Sequence, residues 1–111
     1  MKHFSPAFLF LFVLLACNTQ QEEKPYIKLM HEIHAIECEH LKTAGIVLND
    51  TDVFNFRSKA LKYILDDTDR KVLAHYEDLS AELATINFYL DENERKQFDA
   101  ALQNEYGKKC N

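Results

Sequence analysis

The sequence predicts a small all-α domain built as a bundle of about four helices, and three observations lead to that prediction. Apolar residues recur at steps of three and four along four successive stretches between positions 25 and 106, which is the spacing of one helix face. The chain has two glycines, Gly45 and Gly107, and each stands where such a stretch ends. The sequence contains no hairpin turn signal, no glycine-rich loop and no repeat, so a sheet is not expected.

The first helix is expected over residues 25–44. Pro25 suits the first turn, where a missing N–H costs nothing, and Gly45 suits the residue after the last turn. The apolar side chains of this stretch lie on one face, and they are Tyr26, Leu29, Met30, Ile33, Ile36, Leu41 and Ala44. The apolar residues 46–48 are expected to form either a short strand-like piece or a buried connection.

Three further helices are expected after this connection. Cap-forming residues precede a second helix over about 52–65 and a third helix after 69. The third helix has an unbroken 4-3-4-3-4 spacing of Val72, Tyr76, Leu79, Leu83, Ile86 and Leu90. Because this pattern lasts less than three heptads, we interpret it as a bundle helix rather than a dimerising coiled coil. The fourth helix is expected over about 92–106, after a capping-box pair formed by Asp91 and Glu94.

The first seventeen residues have the features of a secretory signal. Lys2 precedes an apolar run over residues 7–15, and a small residue stands before the expected cut. The run is shorter than the roughly 20 residues that a membrane-spanning helix needs. Its end, Leu14-Leu15-Ala16-Cys17, resembles the lipobox of bacterial lipoproteins. That resemblance implies that residues 1–16 are removed and that Cys17, as the new first residue, carries fatty acyl chains.

The same resemblance implies a location for the protein and a division of the chain into segments. Residues 17–24 would be the lipidated cysteine and a flexible tether, and residues 25–111 would be the helical domain. Asn18 follows the cysteine where an Asp is associated with inner-membrane retention in enteric bacteria, so the expected location is the outer membrane, facing the periplasm.

The charge balance narrows the possible partners. Lys2 is the only lysine, arginine or acid among the first sixteen residues, so the rest of the chain carries 12 basic and 18 acidic side chains. An acidic domain without a Lys/Arg cluster argues against nucleic acid as a partner and against a basic clamp on anionic lipids.

Cys38 and Cys110 are expected to form one disulfide, since an even pair in an exported chain is typically oxidised. Two free thiols and a thiol metal site are the alternatives. The disulfide conflicts with a plain up-down-up-down bundle, because Cys38 lies far along the first helix whereas the fourth would end near its start. Either residues 107–110 fold back along the bundle, or the helices are not arranged in that simple way.

A histidine-rich segment of the first helix suggests one alternative function. His31 and His34 are three residues apart, and His40 follows on the same helix. Imidazole side chains bind metal ions such as zinc, so the alternative function is that of a metal-binding envelope lipoprotein that uses these three histidines. The spacing differs from the HExxH motif of zinc proteases. The other interpretation is a solvated helix face with Cys38 used in the disulfide.

The sequence offers little support for catalysis. Ser58 and Ser80 are the only serines after the signal, and neither lies in a GxSxG elbow. We therefore expect no enzyme activity and no cofactor. Four aromatic residues fall outside the main apolar faces and are candidates for partner binding: Phe54, Tyr63, Phe88 and Tyr89. The expected function is that of a lipid-anchored envelope protein, of the assembly-factor or immunity type, that binds another protein at the membrane surface.

Overall fold

The all-α prediction is confirmed by the computed structural model, which describes residues 24–49 and 52–110. Within those residues the chain forms four helices: α1, Pro25–Ala44; α2, Val53–Leu65; α3, Arg70–Phe88; and α4, Glu92–Tyr106. The segment at 46–49 is an irregular connection and not a strand. The expected signal sequence, the lipidated Cys17 and the tether up to residue 23 lie outside the described residues.

Each helix begins and ends where the local chemistry allows. Gly45 closes α1 with a left-handed φ of 72°, a conformation that costs glycine nothing. Asp52 and Asp69 cap α2 and α3 by accepting hydrogen bonds from the backbone N–H groups two residues on. The expected capping box is present at α4, where Asp91 and Glu94 each accept a hydrogen bond from the other's backbone.

The first helix is the centre of the domain, because α2, α3 and α4 all pack against it. One core cluster joins its first half to α3, α4 and the end of α2, and it contains Tyr26, Leu29, Met30, Ile33, Ile64, Tyr76, Leu79, Leu83 and Phe98. A second cluster joins its last turns to α2 and the end of α4, and it contains Leu41, Val53, Phe56, Ala60 and Tyr106.

The helix order is not that of a plain up-down-up-down bundle. α4 runs parallel to α1. Tyr26 packs on Phe98 with ring centroids 5.1 Å apart, and His34, eight residues later, contacts Glu105, seven residues after Phe98. Cys38 and Cys110 continue the same pairing. α3 is antiparallel to α1, and α2 crosses its second half. This arrangement removes the conflict between the disulfide and the bundle.

The disulfide between Cys38 and Cys110 is confirmed, with 5.2 Å between the two Cα atoms. It closes a loop of 72 residues and attaches the segment after α4 to the middle of α1. Among the helices of the described residues, none is both long enough and apolar enough to cross a bilayer.

Candidate functional site

A buried carboxylate lies at the point where all four helices meet. The Glu37 side chain on α1 has no exposed surface. It accepts hydrogen bonds from the Tyr76 hydroxyl at 2.5 Å, from Arg57 Nε at 2.9 Å, and from the Tyr106 hydroxyl. Each donor comes from a different helix, so the carboxylate connects α2, α3 and α4 to α1.

The Arg57 guanidinium extends this cluster towards the surface. Its terminal nitrogen donates to Ser80 Oγ at 3.1 Å and to the Tyr76 hydroxyl at 3.3 Å. Burial alone would lower the pKa of Arg57, but the nearby Tyr106, Glu37 and Tyr76 raise it, so the guanidinium stays charged.

The two tyrosine hydroxyls of the cluster remain neutral donors. Burial, together with the charge of Glu37, raises the pKa of Tyr76 to about 12, and it raises that of Tyr106 further. The carboxylate, the guanidinium and the two hydroxyls therefore form hydrogen bonds with one another. These hydrogen bonds fix the relative positions of the helices.

A second polar group lies beside the disulfide. His34 is buried, and its Nδ1 lies 2.8 Å from Glu105 Oε2. The imidazole packs against the Phe56 and Tyr106 rings, with centroids 5.4 and 4.4 Å away. His34 Nε2 is the one buried side-chain nitrogen or oxygen in the described part of the chain that has no hydrogen-bond partner.

The environment of Glu105 favours its charged form. Burial would raise the pKa of its carboxyl group, but the hydrogen bonds from His34 and Lys108 outweigh it and hold the pKa below its ordinary value. His31 Nδ1 lies 3.4 Å from the same Oε2 atom. Glu105 is therefore an acceptor, and the proton of the His34–Glu105 contact belongs to the histidine.

The three histidines of the metal hypothesis do not come together. His31 and His34 share Glu105, but His40 faces another part of the surface. Both of its ring nitrogens are engaged, with Nδ1 2.8 Å from the Ile36 carbonyl and Nε2 2.8 Å from Asp67 Oδ2. This arrangement does not support the predicted three-histidine set, because Asp67, in the turn between α2 and α3, gives His40 a partner of its own.

The aromatic residues predicted to bind a partner lie on separate surfaces. Phe54, Phe88 and Tyr89 are 76%, 74% and 79% exposed. Phe88 and Tyr89 contact each other at the α3–α4 turn, with ring centroids 5.0 Å apart. Tyr63 is half-buried and lines an open groove of about 830 Å³ beside the His40–Asp67 pair, so it does not share a surface with the others.

The outer face of α2 carries three exposed apolar side chains. Phe54, Leu61 and Leu65 are exposed and follow one another at steps of seven and four, which places them in one row. Beside the row lies a groove of about 620 Å³ between α2, α3 and α4, with Leu102 and Arg57 among its lining residues. We call Phe54, Leu61 and Leu65 the α2 row.

Sequence reasoning missed the buried cluster and the role of Glu105. A detectable pattern existed for Glu37, which falls between Ile33 and Leu41 at four-residue steps and therefore on the buried face. No local pattern marks Arg57 as a neighbour of Glu37 or Glu105 as a neighbour of His34, because these contacts depend on how the helices cross.

Comparison with known proteins finds no match to this chain among protein-family models, curated proteins or solved structures.

Proposed function

We propose that this chain is a lipid-anchored envelope protein that binds another protein through the α2 row. The observation that carries the proposal is the exposed apolar row itself, with Phe54 76% and Leu65 54% exposed on one helix face. Helices in small domains bury such faces, and an apolar row rimmed by polar residues is typical of a protein contact.

The position of the row favours a partner rather than the membrane that holds the anchor. α2 packs on the second half of α1, where Arg57 donates to Glu37, and Asp67 in the turn after α2 contacts His40. The chain leaves the described domain at Lys24, at the opposite end of α1. The row is therefore set away from the point where the tether would begin, on the side open to the aqueous phase.

The structure of the domain supports a binding role over a catalytic one. Glu37, Arg57 and the two tyrosine hydroxyls bond one another and hold the helices in place. A rigid scaffold presenting apolar side chains is suited to recognition, because few groups have to be ordered on binding. An assembly factor or an immunity-type lipoprotein would use such a rigid binding surface.

The proposal is tested by crosslinking and recovering the full-length protein from its own envelope. The wild-type chain should recover one stoichiometric protein, and a variant with Phe54→Ser and Leu61→Ser should lose it. Val47→Ser is the matched control, because Val47 is 83% exposed and lies outside the row. A partner that is retained by the double variant, or no stoichiometric partner at all, contradicts the proposal. Mass spectrometry of Cys17 tests the anchor separately.

A further inference from the structure

We propose that the reduced form of this chain binds a thiophilic divalent metal ion, of which Zn²⁺ is the simplest, through Cys38, Cys110 and His34 Nε2. Glu105 would orient the histidine. In the described residues these three are the one group of His, Cys, Asp and Glu side chains whose candidate ligand atoms converge, all within 4.8 Å of one another. The disulfide and the metal would then be alternative states of the same site.

The histidine already has the orientation of a metal ligand. Its Nδ1–H donates to the Glu105 carboxylate at 2.8 Å, which leaves a lone pair on Nε2 in the neutral ring. That nitrogen is buried and has no partner, which costs free energy in the oxidised state, and a bound metal ion would supply the missing partner. A ligating histidine usually donates its other N–H to a carboxylate, which fixes the ring and makes it more basic.

The distances allow coordination with a small movement. Zinc lies about 2.3 Å from sulfur and about 2.0 Å from nitrogen, so ligand atoms around one tetrahedral ion are roughly 3.5 Å apart. The His34 nitrogen, which lies within 4.8 Å of the sulfurs, therefore needs to approach them by at most about 1 Å. The two sulfurs are bonded to each other in the disulfide and, from a bond of about 2 Å, separate by roughly a further 2 Å after reduction. Cys110 lies beyond the end of α4 and can make this movement without displacing a helix. Two thiolates and one imidazole leave a fourth position for water.

The Cys110 side of the disulfide borders a surface cavity. Cys110 lines a cavity of about 370 Å³ that is also bounded by Gly45 and Val47. A protein dithiol would reduce the disulfide with two electrons and two protons, becoming a disulfide itself. The two thiols then release their protons as zinc binds. In the reverse direction the two thiolates pass two electrons to a protein disulfide by thiol–disulfide exchange, which restores the Cys38–Cys110 disulfide and releases the metal.

The test uses the full-length chain purified in detergent and carrying Cys17→Ser, so that Cys38 and Cys110 are the remaining thiols. Cobalt(II) is added as a probe to oxidised protein and to protein reduced with a phosphine. The reduced protein should show thiolate-to-cobalt charge transfer and the visible bands of four-coordinate cobalt, which zinc then displaces. The oxidised protein should show neither.

Three variants decide which residues are responsible. His34→Asn keeps a donor for Glu105 but removes Nε2, and it should abolish the four-coordinate spectrum. Glu105→Gln should weaken binding by about 10- to 100-fold, the usual cost of losing the group that orients a ligand. His75→Asn, at an exposed histidine, should change nothing.

Two results would overturn this site. One is the absence of cobalt bands in the reduced protein, and the other is an unchanged spectrum in His34→Asn. If reduction unfolds the helices, the reduced protein is followed by circular dichroism instead of cobalt absorption. Addition of zinc should then restore its helical signal. A failure of zinc to restore it also overturns the proposal.

A second inference rests on the proposed lipid anchor: we infer that Phe88 and Tyr89 contact the surface of the anchoring membrane. α3 passes the start of α1, where Leu79 and Glu82 lie beside Lys24 and neighbouring residues. Phe88 is six residues further on, or about 9 Å along the helix axis. The aromatic pair therefore protrudes from the end of the domain at which the tether attaches.

The reach of the tether and the rigidity of the turn support this contact. The seven residues from Cys17 to Lys24 span at most about 25 Å, so the start of α1 stays near the lipid. Arg95 donates to the carbonyls of Asn87 and Leu90 at 2.9 and 3.0 Å, which holds the turn in place. Exposed aromatic rings on a fixed turn suit the interface between headgroups and acyl chains.

The absence of tryptophan from the chain allows a direct test. Full-length lipidated protein with Phe88→Trp, or with Phe54→Trp as the matched control, is reconstituted in phosphatidylethanolamine and phosphatidylglycerol vesicles with brominated acyl chains. Bromine should quench tryptophan at 88 and not at 54. Equal quenching, or none while Cys17 is acylated, overturns the contact but not the anchor. An unmodified Cys17 overturns both.

Discussion

Arg57 Nε lies 2.9 Å from Oε2 of Glu37, a carboxylate with no exposed surface, and the pair joins α2 to the centre of α1. The pair forms across two helices whose hydrophobic faces alone would allow several crossing angles. Fixed donors around a buried charge select one of them, because any other angle would leave the carboxylate without partners.

Glu37→Gln should therefore destabilise the domain strongly. The substitution leaves the Arg57 charge without its partner, which costs about 3–5 kcal/mol for a buried pair, and the low end applies because the arginine reaches solvent. Urea unfolding followed by circular dichroism measures the loss. Glu39→Gln, at an exposed position on the same helix, should change stability by less than about 0.5 kcal/mol. Similar values for the two variants would contradict the assigned role of Glu37.

Stability should fall in alkaline solution because of the buried tyrosines. Burial raises the pKa of Tyr76 from 10.0 to about 12, with a further contribution from the charge of Glu37. Between these two values the unfolded chain loses the tyrosine proton while the folded chain keeps it. The stabilising effect is thus complete below about pH 10 and is lost as the pH rises towards about 12.

Tyr76→Phe should flatten this part of the pH profile. The measurement is the free energy of unfolding at several pH values from about 9 to about 12. Tyr106 would still contribute a slope, since its pKa is raised as well. Tyr89→Phe, at an exposed position, should leave the profile unchanged. A profile that is equally steep in the Tyr76 and Tyr89 variants would exclude Tyr76 as its source.

Reduction of the Cys38–Cys110 disulfide should lower the free energy of unfolding by about 4 kcal/mol, the value expected for a closed loop of this length. Unfolding is measured in metal-free buffer with and without a phosphine reductant. A double variant with Cys38→Ser and Cys110→Ser should already be destabilised and should not respond to the reductant. A response in that variant would show that the reductant acts elsewhere.

Loss of the α4 cap should have a smaller and local effect. Asp91→Ala removes the acceptor for the Glu94 N–H, a bond of 2.7 Å, and should cost about 1 kcal/mol. Asp99→Ala, at an exposed position inside the same helix, is the control and should have little effect. Equal stability of the two variants would mean that Arg95 and its carbonyl partners are enough to fix the turn.

The helices were predictable because their determinants are local. Pro25 and Gly45 bound α1 as expected, and the Asp91–Glu94 pair starts α4 as expected. The third helix shows where such reasoning stops. Its 4-3-4-3-4 spacing continues to Leu90, but α3 ends at Phe88, and Leu90 packs on the core from the turn. The apolar spacing indicates which side chains are buried. It does not indicate where the helix ends, because a residue in the following turn can be buried as well.

The candidate sites were less predictable because they join residues far apart in the chain. Redox chemistry predicts the Cys38–Cys110 pair correctly, whereas the spacing on one helix is the only ground for grouping the three histidines. His40 contacts Asp67 and lies apart from that group, whereas His31 and His34 both contact Glu105. Neither carboxylate lies near its histidine in sequence.

The sequence by itself determined four helices, most of their ends and one disulfide. Helix caps and apolar spacing act over a few residues, and the other two cysteines have a single pairing if Cys17 carries the proposed lipid. Only the tertiary structure decided that α4 runs parallel to α1, that Arg57 meets Glu37 and that Glu105 meets His34. The physical reason is that a hydrophobic face specifies what is buried but not against which neighbour. The choice is made by hydrogen bonds between distant polar groups, which exist only after the helices have packed.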